Sequence, residues 1–413
     1  MVKNAVAILA RDSRFVMTWS RRPRWTHSET CHHLCLVILR AGLQDARLPA
    51  ILSQHAAIFL KPPPLLVAGH SDRCLYVLDA LMGTCINTIE IHGFPGQPAF
   101  NAVVCDPATD GIVVATPSVL SRITFLGESG HRRDWMLHPG ACCCAPDPDG
   151  RIWGAGCSHG MCRIIDSRTG TVLHSLVLDA RGSMSKRILC VEFSPGGQIL
   201  WCGGFDGRCW RVDATSGQLV SQHQCGEKRL KTIAISPSGN QVLIGSVDGN
   251  IYVLFDDGCH RSILAVTSWL EQLSDPTTNY GCVGKVVFMR DGQQIFVVCE
   301  FLDQQGGTSS HLFAMSWPAV QHPGYLQPFS TRREPPCPIE TIWICHRYAN
   351  LDVVALDEMH ALVVATGGYG DKLGFFELIS LDAVRREEQY ASIFRAVLVF
   401  GGRGRIWSMT ILS

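Results

Sequence analysis

The sequence predicts an all-β fold, a β-propeller built from four-stranded blades. Three observations predict it. Two stretches, 188–213 and 231–254, repeat one pattern with equivalent glycines, Gly203 and Gly245, 42 residues apart, and a period of about 40–45 residues with strand patterning is what propeller blades produce. Each copy carries the same turn residues at the same places. The longest apolar runs, such as 361–365 and 396–400, are of strand length, far short of the roughly 20 residues that a membrane-spanning helix needs.

The repeating unit has a physical reason at each step. Val191 and Phe193, then Ile233 and Ile235, alternate with other residues as a half-buried first strand requires. Ser194-Pro195-Gly196-Gly197 and Ser236-Pro237-Ser238-Gly239 are tight turns, in which proline presets φ and glycine supplies a positive φ. A second strand ends in Gly203 or Gly245, where a missing side chain lets neighbouring blades approach. Asp206-Gly207 and Asp248-Gly249 are Asp-Gly hairpin turns to a third strand. A looser fourth strand completes the unit.

Matching pieces run along most of the chain. Leu65–His70 precedes Cys74–Asp79; Val103-Val104-Cys105-Asp106 leads to 111–116; Pro146-Asp147-Pro148-Asp149-Gly150 leads to Trp153-Gly154-Ala155-Gly156 and Arg163-Ile164-Ile165-Asp166; 286–292 leads to 295–298; and 353–358 leads to 362–367. These make seven copies, at 55–91, 100–137, 140–178, 187–224, 230–270, 284–328 and 350–382. Hairpin-like pieces remain at both ends, 6–19 and 396–409. The expectation is seven blades, or eight if the two end pieces join into a composite blade. The arrangement resembles the WD-repeat family, with Leu78-Asp79, Ile165-Asp166 and Val212-Asp213 standing where that family carries its Trp-Asp. Gly69-His70 is read in a hairpin turn, and Gly130-His131 precedes the inner strand at 142–144.

Residues 1–413 thus read as a single propeller, with loop insertions near 21–49 and 318–338. The first ten residues run straight into Arg11-Asp12-Ser13-Arg14 and a second strand-like run, so they read as strand and not as a targeting segment. Residues 382–389 suggest a helical turn. The chain ends close behind a strand, which fits either a complete ring or the propeller part of a longer protein.

Composition narrows the function classes. Lys+Arg and Asp+Glu both number 36, so net charge gives no reason for bulk affinity to nucleic acid or acidic membranes. The 19 cysteines are odd in number and many sit in apolar strand runs, where thiols pack as small hydrophobes. That predicts a reducing compartment, cytoplasm or nucleus.

Candidate chemistry is sparse. Cys31-His32-His33-Leu34-Cys35 has zinc-ligand residue types but lacks a nearby second pair. Cys142-Cys143-Cys144 alternate in direction along a strand, so they read as core. Cys157, His159 and Cys162 straddle a turn. Gly156-Cys157-Ser158-His159-Gly160 fits a nucleophile-elbow pattern, yet a strand follows where that motif needs a helix. The glycine-rich run at 366–370 leads into Asp371-Lys372, a hairpin and not a phosphate-binding helix start. Asp79, Asp166 and Asp213 recur at one place in the repeat, which marks a blade-building role. No catalytic residue, metal or cofactor is assigned.

Two function classes follow. The first is a non-catalytic scaffold or adaptor that binds protein partners through propeller loops. The alternative is an enzyme using the central channel, or the propeller domain of a larger enzyme. The inner strands read as mostly apolar, through Val191/Phe193, Ile233/Ile235 and Val286/Phe288, which favours the scaffold. In the family the loops between blades share a face with the hairpin turns. Here that resemblance gathers Arg181, Lys186 and Arg187 with Lys228 and Arg229 around Phe205, beside the turn glycines Gly207 and Gly249 and their Asp206 and Asp248. Basic groups around an exposed aromatic suit an acidic or phosphorylated peptide.

Overall fold

Alternating apolar segments become strands throughout the residues that the computed structural model describes: 65–70, 74–80, 84–91, 101–109, 111–116, 119–124, 131–136, 140–178, 187–255, 261–265, 278–303, 308–317, 327–328, 350–355, 360–366, 373–380, 392–399 and 406–412. All belong to one structural unit, Pro64–Ser413; the other unit is Met1–Pro63. The expected strands at 6–19, the insertion at 21–49 with its Cys31–Cys35 cluster, the helical turn at 382–389, and all of 318–338 except 327–328 lie outside the described residues. So do Arg181, Lys186 and the glycine-rich run at 367–370.

The strands are, in chain order, β1 (Leu65–His70), β2 (Cys74–Asp79), β3 (Cys85–Glu90), β4 (Ala102–Asp106), β5 (Gly111–Ala115), β6 (Val119–Thr124), β7 (His131–Met136), β8 (Ala141–Pro146), β9 (Ile152–Cys157), β10 (Met161–Asp166), β11 (Val172–Val177), β12 (Ile188–Phe193), β13 (Ile199–Gly204), β14 (Arg208–Asp213) and β15 (Leu219–Gln224). There follow β16 (Leu230–Ile235), β17 (Gln241–Ser246), β18 (Asn250–Phe255), β19 (Arg261–Ala265), β20 (Thr278–Phe288), β21 (Gln294–Asp303), β22 (Thr308–Ser316), β23 (Gln327–Pro328), β24 (Asn350–Ala355), β25 (His360–Thr366), β26 (Leu373–Ser380), β27 (Ser392–Val399) and β28 (Ile406–Leu412). They form antiparallel sheets: β4–β7, β8–β11 and β12–β15 each match one sequence copy, β16–β19 matches another with β23 of the following copy added at its edge, and β24–β27 takes its last strand, β27, from beyond the copy at 350–382. Among the described residues the sheet β20–β22 has three strands.

The remaining sheet joins distant parts of the chain. Its order is β28-β1-β2-β3, with Leu66 opposite Ile411 and Val67 opposite Thr410. This corrects the reading of 396–409 as one hairpin. Ala396 lies in β27, opposite Phe376, whereas Met409 lies in β28, opposite Ala68. Two short apolar runs around a glycine turn do not reveal whether they pair with each other or with separate neighbours. His70 likewise is not in a turn. It ends β1, buried, edge-on to Tyr76 with ring centroids 5.9 Å apart.

The core lies between successive sheets. Cys143, Cys162 and Ile164 pack with Ile188, Leu200, Cys202 and Trp210 of the next sheet, and Leu243, Ile251 and Val253 pack with Val283, Val297 and Phe313. The glycines at the ends of second strands sit in these seams. A Cβ on Gly203 would come within 2.5 Å of Cys190 Sγ and 3.3 Å of Leu230 Cβ in the following sheet. One on Gly245 would meet Val283 at 2.6 Å. First strands touch in succession: β4 against β8, β8 against β12, β12 against β16, β16 against β20, β20 against β24, β24 against β28, and β28 against β4.

The turns repeat as closely as the strands. Asp147, Ser194 and Ser236 each accept, through a side-chain oxygen, the backbone N–H five residues on, at 3.0–3.1 Å. Gly150, Gly197 and Gly239 close these turns with positive φ. Asp166 and Asp213 accept the N–H groups of Thr169 and Ser216, both at 2.7 Å. The Thr169 hydroxyl first and its N–H second hold the Asp166 carboxyl below its ordinary value, and the Ser216 N–H first and its hydroxyl second do the same for Asp213, which is the blade-building role expected of them.

Candidate functional site

The expected face forms where hairpin turns meet the ends of the inter-sheet loops. Ser158, Phe205 and Val247 are equivalent turn residues in three successive sheets. The Phe205 N–H donates to the Arg187 carbonyl at 2.9 Å, and the Val247 N–H donates to the Arg229 carbonyl at 3.1 Å. Arg187 also bridges back to Ser158 in the preceding sheet. Each arginine is therefore fixed by its backbone immediately before a first strand, while its side chain is exposed. The Arg229 guanidinium reaches the preceding sheet and sits 6.0 Å from the Phe205 ring centroid, within range of a cation–π contact. Phe205 is 39% exposed.

Gly207 and Gly249 have φ of 77° and 81°, as Asp-Gly hairpins require. A Cβ on Gly207 would lie 2.1 Å from the Gly226 carbonyl oxygen. Gln224, which sequence reasoning did not single out, stitches this corner. Its amide donates to the carbonyls of Asp206 at 3.0 Å and Gly226 at 2.5 Å, and its Oε1 accepts from Arg208 Nε at 3.0 Å.

Electrostatics on this face are uneven. Asp206 is paired with Arg208, Nε to Oδ2 at 3.4 Å. Asp248 accepts the Tyr252 hydroxyl at 2.5 Å; burial first, and this carboxylate second, push the Tyr252 phenol above its ordinary value. Asp206 and Asp248 are thus occupied by neighbours, while Glu227, beside Lys228 and Arg229 in the same loop, is exposed. Among the described residues no carboxylate forms an ion pair with Arg187, Lys228 or Arg229. The structure brings Arg187, Phe205, Lys228 and Arg229 to one corner, and Arg181 and Lys186 lie in the loop outside the described residues.

The first strands depart from the apolar reading. Lys231 Nζ lies 2.7 Å from Glu300 Oε2 and 3.7 Å from Cys282 Sγ. Lys285 Nζ lies 2.5 Å from Asp352 Oδ1, and the other Asp352 oxygen accepts the Met409 N–H at 3.0 Å. Burial pushes the Glu192 carboxyl up to about 7, with Lys285 drawing it back. These residues occupy the alternate positions between the apolar ones, so the same period-2 pattern that revealed the strands also contained this signal. Lys231 with Glu300 and Lys285 with Asp352 form ion pairs that cross-link neighbouring sheets.

Of the other chemical candidates, those within the described residues resolve into packing. Cys157 and Cys162 are buried, and a strand, β10, follows the Gly156–Gly160 turn. Burial pushes the Cys144 and Cys157 thiols up to about 12, so neither is a ready thiolate. Among the described residues no group of three or more His, Cys, Asp or Glu side chains is arranged to hold a metal. None of their helices is long and apolar enough to cross a membrane.

No protein-family profile matches the chain. It is similar to the guanine nucleotide-binding protein subunit beta of Oryza sativa subsp. indica, 29% identical over 123 residues, covering 28% of this chain and 32% of that protein. The Arabidopsis thaliana guanine nucleotide-binding protein subunit beta is 28% identical over 122 residues, with the same coverage. The human echinoderm microtubule-associated protein-like 2 is 24% identical over 147 residues, 32% of this chain and 23% of that protein. The chain thus matches about a third or less of the length of these curated relatives. All three are built from the same kind of repeat.

Proposed function

We propose that this chain, a member of the WD-repeat family, is a non-catalytic scaffold whose Arg187–Phe205–Arg229 corner docks an acidic or phosphorylated peptide of a protein partner. The observation that carries the reading is the asymmetry of charge satisfaction. Asp206 and Asp248 are held by Arg208 and Tyr252, while Arg187, Lys228 and Arg229 stand exposed around an exposed ring. Guanidinium groups pair strongly with anionic oxygens, and a fixed aromatic supplies contact energy at low entropic cost. The relatives' names point to the same general kind of work, one being a subunit and the other microtubule-associated-like.

The scaffold reading includes a ring of seven blades, closed where β28 completes the sheet begun by β1. It is supported by the succession of touching first strands, which returns from β24 through β28 to β4. A cytoplasmic or nuclear location is part of the proposal and rests on the 19 cysteines. The test is an array of acidic, phosphorylated and basic peptides probed with the purified chain. Phosphorylated or acidic peptides should bind. Arg187→Glu with Arg229→Glu, and separately Phe205→Ala, should each weaken that binding at least tenfold with little change in melting temperature. Full binding by both variants would overturn the site, and preference for basic peptides would overturn the ligand class.

A further inference from the structure

We propose that Lys231, Cys282 and Glu300 form a peroxide-responsive modification site, at which oxidation joins the Cys282 sulfur to the Lys231 nitrogen and ties two neighbouring sheets covalently. Lys231 stands on β16, while Cys282 and Glu300 stand on β20 and β21 of the next sheet. Cys282 lies directly opposite Glu300, so their side chains share one face of that sheet. Three reactive atoms meet there in a triangle. Lys231 Nζ lies 2.7 Å from Glu300 Oε2 and 3.7 Å from Cys282 Sγ, and Sγ lies 3.6 Å from the same carboxylate oxygen.

The backbone makes room for this triangle and leaves it within reach of a small solute. A Cβ on Gly284 would come within 2.7 Å of the other carboxylate oxygen, Glu300 Oε1, so the missing side chain is what seats the carboxylate beside β20. The Lys231 side chain keeps 26% exposure and that of Glu300 42%, and Cys282 is half-buried. Cys162 and Cys202, with sulfurs 3.5 Å apart, are both buried away from a dissolved oxidant. Cys299 precedes Glu300 but is buried opposite Val283, and successive residues of a strand point to opposite faces. Its thiol therefore does not compete with Lys231 for the Cys282 sulfur.

The chemistry follows from the three groups. Burial holds the Cys282 thiol above its ordinary value, and the Lys231 ammonium draws it back. The thiol thus meets the oxidant with its proton on and needs a base in contact, which Glu300 supplies. The sulfur attacks one oxygen of hydrogen peroxide. An S–O bond forms, the O–O bond breaks, and the thiol proton passes through Glu300 to the departing hydroxide, which leaves as water. A sulfenic acid of this kind condenses with a nearby thiol or nitrogen. Here the nitrogen is that of Lys231, which gives a proton to its paired carboxylate and attacks sulfur as the free amine. An S–N bond forms, the S–O bond breaks, and a second water leaves. The sulfur is oxidised by two electrons, the peroxide is reduced, and two waters and one proton are released. A thiol reductant reverses the link.

The experiment treats the purified full chain with hydrogen peroxide, blocks remaining thiols, digests it and reads the peptides by mass spectrometry. Wild type should yield the Lys231 and Cys282 peptides joined and two hydrogens lighter than the separate pair, and dithiothreitol should release them. Lys231→Arg keeps a positive charge beside Glu300, but a guanidinium stays protonated and offers no free amine. It should lower the joined fraction at least tenfold and let Cys282 run on to sulfinic acid. A wild-type Cys282 that stays a thiol, that oxidises without the link to Lys231, or that forms a disulfide with Cys299 would overturn the proposal. These three outcomes are read on wild type alone, whatever the folding of the variant. Equal joining in Lys231→Arg would overturn it as well.

Discussion

Replacing Asp352 with alanine should be among the most damaging single changes in the described residues. Its carboxylate is buried and has three partners: the Lys285 ammonium at 2.5 Å, the Met409 N–H at 3.0 Å and its neighbour's N–H, that of Val353, at 2.9 Å. These tie together the sheets of β20, β24 and β28. Truncation strands the buried Met409 N–H, worth about 1–3 kcal/mol. It also leaves Lys285 without its partner, and breaking a buried pair costs about 3–5 kcal/mol. The Lys285 side chain retains 28% exposure, so water recovers part of the second loss. The expected total is about 3 kcal/mol. Asp352→Asn keeps an acceptor for Met409 and should cost about half as much. Urea denaturation measures the stability change, and hydrogen exchange of β28 locates it. Amide protection in β28 should fall more than in β13. A loss below about 0.5 kcal/mol with β28 protection intact would refute the assignment of Asp352 as the link between the last sheets and the first.

Two further outcomes are expected. Gly207→Val forces a β-branched residue to φ 77° with its Cβ 2.1 Å from a backbone oxygen; it should lower stability by about 3 kcal/mol or prevent folding. Gly196→Ala, at a position open to at least 4 Å, should change melting little, and equal effects of the two would mean the turn geometry is wrong. Glu192, raised to about 7 from an ordinary 4.5, binds more protons folded than unfolded. Its contribution is complete below pH 4.5 and is lost as pH rises through 7, by at most about 3 kcal/mol at 1.36 per pH unit. Wild type should therefore lose stability relative to Glu192→Gln across that range in paired denaturation curves, and a flat difference would refute the burial of that charge.

The repeat was legible because each of its parts is local. Ser194-Pro195-Gly196-Gly197 and Asp206-Gly207 determine their own backbone, and the structure gives the positive φ these turns imply at Gly197 and Gly207. Pairings between distant segments were not legible. β28 was read as half of a hairpin because its apolar alternation is equally compatible with β27 and with β1. The basic corner was partly legible, since Arg187 and Arg229 each stand one residue before a first strand. What sequence did not reveal is how Asp206 and Asp248 are used up. That depends on Arg208 and Tyr252 folding back onto the turn. The ionic links between sheets were visible as residue types, Lys231 and Lys285, but their meaning depends on partners in other sheets, Glu300 and Asp352.

The pairing of β28 with β1 imposes a schedule on synthesis. The inner edge of β1 leaves the ribosome early, but its partner is not made until roughly 340 residues later. At about 5–20 residues per second, Leu65–His70 waits roughly 20–70 s with a row of backbone donors and acceptors open. During that interval the nascent chain carries a β-edge that any extended apolar segment can occupy. Chaperone dependence in cells should therefore track translation speed across the middle sheets, and a chain cut before Ile406 should remain in that waiting state.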